Sequence, residues 1–136
     1  MKKENIAKVE QDTADWAYME KLPAQWFGFH YQKEMRVNDD MYELYSYSNE
    51  DIHRSLTTYF HEETHEYKLR VRIGLTEFCR IEFIAPDLPS FERLLTEQFE
   101  GMLHDQAEFN PTTINRIVRD KHILEKKKKK LLPDTL

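Results

Sequence analysis

The sequence predicts an α+β domain, an antiparallel β-meander of four or five strands with an N-terminal helix and one or two C-terminal helices packed on one face. Three observations lead there. Apolar residues recur at spacings of three and four near the start of the chain and again after residue 87, whereas residues 26 to 85 alternate largely with a period of two. The joins between successive strand segments are shorter than the crossover of about a dozen residues that a parallel pair needs. Strands gathered in one block with helices at the ends imply helices covering one face of a meander.

Residues 4 to 22 read as a helix, with Ile6, Val9, Thr13, Trp16 and Met19 on one stripe and Pro23 just beyond it. From Trp26 the period changes. Phe27, Phe29, Tyr31, Met35 and Val37 fall on one face of a strand, and His30, Gln32, Glu34 and Arg36 fall on the other. Asn38-Asp39-Asp40 is turn chemistry, and Tyr42 to Tyr47 follows as the hairpin partner. Ser48-Asn49-Glu50-Asp51 breaks the pattern and is read as capping a short helical turn through Ile52 and Leu56, before a short strand from Leu56 to His61. Residues 67 to 75 carry the clearest strand signal, with Tyr67, Leu69, Val71, Ile73 and Leu75 alternating with Lys68, Arg70, Arg72 and Gly74. Glu77 to Ala85 reads as a further strand, its mixed alternation implying a bulge or burial on both faces. The row from His30 to Arg36 and the row Lys68, Arg70, Arg72 are expected to share the wetter face.

Asp87 is the expected cap of a second helix, in which Leu88, Phe91, Leu95, Phe99, Met102, Leu103 and Gln106 form the apolar stripe. Glu92, Glu97, Glu100 and Asp105 cover its other side. Asn110-Pro111 resembles another helix start, with a strand through Thr112 to Val118 as the alternative. Residues 1 to 125 are read as one domain and 126 to 136 as a flexible basic tail.

Composition narrows the function classes. A chain of 136 residues with 12% aromatics carries too many large rings for a disordered acidic segment and is short for two cores. The single Cys79 excludes an intramolecular disulfide framework and fits a reducing compartment, so a cytoplasmic location is expected. The N-terminus has no continuous apolar stretch of signal-peptide type, and no window approaches the ~18 apolar residues of a membrane span. The net charge of −5 is uneven: residues 126 to 136 hold five Lys and one Asp, a local +4 that leaves the first 125 residues at −9. An acidic body disfavours nucleic acid except at a local basic feature.

One string matches a metal motif. His61-Glu62-Glu63-Thr64-His65 is H-E-x-x-H, which on a helix places two His on one face to hold zinc, with Glu62 as the base that activates bound water. The flanks read as strands, however, so the expected setting is an acidic hairpin turn with two surface His, and no third ligand among Glu82, Glu92 or His104 is marked by a motif. Lys68, Arg70, Arg72 and Arg80 could form a cationic interaction face, or simply pair with Glu34, Glu43 and Glu82 across the sheet. Lys126 to Lys130 read as a solvated end, and Cys79 as a packed thiol. With no cofactor motif and no arranged nucleophile, the expected function is a non-catalytic module that binds a protein partner or its own second copy. The alternatives are a small zinc hydrolase using His61, Glu62 and His65, and an RNA-contacting domain using the basic row and tail.

Overall fold

The structure is a computed structural model and describes residues 1–108. Helix α1 (Lys3–Thr13) and the short α2 (Ala17–Glu20) precede β1 (Gln25–Trp26), β2 (Phe29–Asn38), β3 (Met41–Asn49), β4 (Arg54–His61), β5 (Glu66–Ile73) and β6 (Thr76–Cys79). A 3₁₀ turn (Ile81–Phe83) leads into α3 (Leu88–Glu108). The strands form one antiparallel sheet in sequence order, the expected meander with six strands rather than four or five.

The extra strand comes from Phe27-Gly28. Both residues take positive φ, +51° and +83°, and fold the chain back so that Trp26 pairs with Phe29 in a two-residue hairpin. Gly28 suits this conformation, and a Cβ there would also meet the Asn49 side chain at 3.3 Å. Two-residue turns join β2 to β3, with Asp39 at φ +60°, and β5 to β6, with Gly74 at φ +61°.

One face of the sheet carries the core. Register places Tyr31, Tyr47, Leu56, Val71 and Phe78 in one cross-strand row, and Val37, Tyr42, Phe60 and Tyr67 in another on the same side. Against this face α3 inserts the predicted stripe: Phe99 meets the rings of Trp26, Tyr45 and Tyr47, and Phe91 stacks on Tyr67 at 5.7 Å. Asp87 caps α3 as expected, its carboxylate accepting the Ser90 N–H at 2.8 Å. Arg54, fully buried at the start of β4, donates to the Gln106 carbonyl and ties the far end of α3 to the sheet.

Several expectations are corrected. The helix expected over residues 4 to 22 stops at Thr13, because the chain turns to bury Trp16, whose indole N–H donates to Glu92 at 2.6 Å. Glu92 is thereby drawn inward from the polar side assigned to it. Val37 lies on the core side of the register but stays 42% exposed at the sheet margin, beyond a bulge between Lys33 and Arg36 where Met35 has φ +45°. Residues 50 to 53 form a hairpin turn rather than a short helix, with Asn49 bonding the Asp51 N–H in an Asx turn. The strand expected from Glu77 to Ala85 ends at Cys79, and the 3₁₀ turn that follows accounts for its mixed alternation. Cys79 is exposed, not packed. The expectations for 112–124, the domain end at 125 and the tail 126–136 lie outside the described residues.

Candidate functional site

Residues 61 to 65 close the β4–β5 hairpin, so the H-E-x-x-H string sits on a turn. Tyr59 and Phe60 point to opposite faces of β4. His61 lies against the Tyr59 ring and His65, at φ +55°, against Phe60, so the two imidazoles leave the turn on different sides. Glu62 does not face them: its carboxylate accepts the Lys2 N–H at 2.7 Å and the Asn5 amide at 2.8 Å, staples the start of α1, and is held below the usual carboxylate range first by Asn5 and then by Lys2. His61 shares a cluster with Asp40 and Glu63. Its Nδ1 lies 2.9 Å from Lys68 Nζ, which can only donate, so the ring proton sits on Nε2 and is donated to Asp40 at 2.9 Å. Both ring nitrogens of His61 are thus hydrogen-bonded within the chain.

The wetter face of the sheet is a charge network centred on Glu43, which is only 3% exposed. Burial pushes its carboxyl up, but hydrogen bonds from Arg70, Asn38 and Arg36 outweigh this and hold it below the ordinary range. Arg70 also lies over the Tyr59 ring at 5.8 Å. Glu34 accepts from Ser46 and approaches Arg36 at 3.6 Å. The row proposed as a cationic face is therefore engaged within the chain: Lys68 with His61, Arg70 with Glu43, Arg72 with Ser55 and Glu50, and Arg80 with Glu82. Aromatic rings for stacking bases lie mainly on the other, helix-covered side.

What the sequence reading missed is the outer edge of β6. All four of its residues are exposed. Leu75 at the preceding turn is fully exposed, Ile81 just after it is 79% exposed, and Phe78 between them is 39% exposed. The Arg80 N–H bonds the Leu69 carbonyl at 2.9 Å, which fixes the phase of the ladder. Residues 76, 78 and 80 turn their backbone groups toward β5, so the N–H and C=O of Glu77 and Cys79 face outward. The available signal was Gly74, which places a turn after Ile73 and lifts Leu75 out of the alternating row.

No protein-family model matches this chain, and no curated protein or solved structure matches it. No described helix is long and apolar enough to cross a membrane.

Proposed function

We propose that the chain is a binding module that docks another polypeptide as an added strand along β6. The observation that carries this reading is the coincidence, on one edge, of outward backbone groups at Glu77 and Cys79 with exposed Leu75, Phe78 and Ile81. In strand addition the backbone bonds supply affinity and alternate side chains supply selectivity, and this edge offers both. The single exposed thiol, Cys79, supports a reducing, cytoplasmic setting.

The test uses a peptide with the sequence of residues 74–82 carrying Ser in place of Cys79. Added to the full chain at low protein concentration, it should slow hydrogen exchange at the Glu77 and Cys79 amides, with much smaller changes in β3 and β4. Cys79→Pro removes an outward donor without touching the β5 ladder and should abolish the effect. Unchanged exchange at both amides at saturating peptide would overturn the reading.

A further inference from the structure

We infer that the partner for this edge is a second copy of the chain, paired antiparallel about a two-fold axis through Phe78. The inference rests on the strand-docking reading above and commits it to one occupant.

A two-fold axis normal to the sheet keeps the helix-covered faces of both copies on the same side, and it makes the edge self-complementary. With the axis at Phe78, residue pairs across the seam sum to a constant. Phe78 faces Phe78 of the second copy, Glu77 faces Cys79 and Thr76 faces Arg80, while Leu75 in the preceding turn and Ile81 in the 3₁₀ turn flank the two ends of the seam. The apolar side chains most exposed along this edge thus fall at the centre and at the two ends of the seam, because Leu75 and Ile81 lie three residues on either side of Phe78.

The backbone agrees. Glu77 and Cys79 are the residues whose N–H and C=O face outward, and in this register each Glu77 exchanges both bonds with Cys79 of the second copy. Phe78, whose backbone is committed to β5, falls at the non-bonded position where facing side chains come closest. It already ends the cross-strand row that runs through Tyr47, Leu56 and Val71, so the pairing continues the core across the seam. No like charges oppose each other. Moving the axis to Glu77 sets two carboxylates face to face, and moving it to Cys79 sets Phe78 against Arg80.

The experiment is sedimentation equilibrium on the reduced full chain from about 1 to 500 µM, a range suited to a small interface. The expected result is a mass rising from one copy to two, with Phe78→Lys shifting the midpoint at least about tenfold to higher concentration while leaving the circular dichroism spectrum unchanged. Register is read by oxidation. Phe78→Cys in a Cys79→Ser background should cross-link readily, because facing non-bonded positions lie about 4.5 Å apart at Cα, whereas native Cys79 is two residues out of register with itself and should cross-link slowly. A faster cross-link through native Cys79 would overturn the Phe78 axis. A single-copy mass throughout would overturn self-pairing, and the peptide test then separates the two ideas. Glu77 and Cys79 amides that respond to peptide keep strand docking with a different partner. Amides already protected in the single-copy protein show the edge filled from within the chain, and unprotected, unresponsive amides remove both proposals.

Discussion

At one side of the sheet, β1 contributes only Gln25 and Trp26, follows Pro23, and leaves most of β2 as the true margin. That margin is broken by the bulge between Lys33 and Arg36, and Lys33 places a charge on the core side of the register. Short strands, proline, bulges and inward charges are the devices that keep a sheet edge from pairing. At the other side β6 is also short, yet it has no proline or bulge and displays Leu75, Phe78 and Ile81. Among the described residues, the same meander thus ends in one edge defended against pairing and one left open to it. A protein that needed only to stay folded would gain nothing from the asymmetry, which is why the open edge is read as the functional one.

Phe99 sits beneath the defended side, against Trp26, Tyr45 and Tyr47, and Phe99→Ala should destabilise the domain by about 3–5 kcal/mol in urea unfolding. Arg70→Met leaves buried Glu43 with Arg36 and Asn38 alone and should cost about 2–3 kcal/mol. Trp26→Ala at the defended edge should cost about 2 kcal/mol, because this half-buried ring packs on Tyr47 and Phe99. Leu75→Ser at the open edge should stay within about 0.5 kcal/mol at low protein concentration, no more than Glu97→Ala on the outer side of α3. Equal losses for Trp26→Ala and Leu75→Ser would erase the difference between the edges.

A pH series sharpens the contrast from the inside. The folded state holds Glu43 below its ordinary range, so its contribution is complete above the unfolded carboxylate value and is lost as pH falls through the lower folded value. The thermal midpoint should therefore hold from pH 7 to about 5 and fall below about 4, and Glu43→Gln should make that fall shallower. Glu62, Glu82 and Asp87 are held down as well and act in the same direction, so the variant reduces the acid slope without removing it.

Much of the architecture was legible in the chain itself. Period-two alternation marks β2 to β5, helical spacing marks the stripe of α3, and Asp87 marks its cap, because each of these patterns follows from local geometry that every residue experiences along its own element. The same holds for 61–65, where strand-like flanks were enough to place His61, Glu62 and His65 on a turn. Local pattern could not set what depends on distant partners. Trp16 ends α1 because Glu92, far along the chain, accepts a hydrogen bond from its indole N–H. Arg54 is buried because the end of α3 arrives to accept from it. Lys68, Arg70, Arg72 and Arg80 look like a free cationic row until register brings His61, Glu43, Ser55 and Glu82 beside them. Leu75 and Phe78 look like core residues of successive strands, and only the order of the sheet, which puts β6 outermost among the described strands, leaves them exposed along its edge. The sequence by itself determined where most of the helices and strands lie, since that is a matter of spacing, but not where each one ends. Which apolar residues are covered was decided by the tertiary structure, since that depends on which neighbour each strand is given.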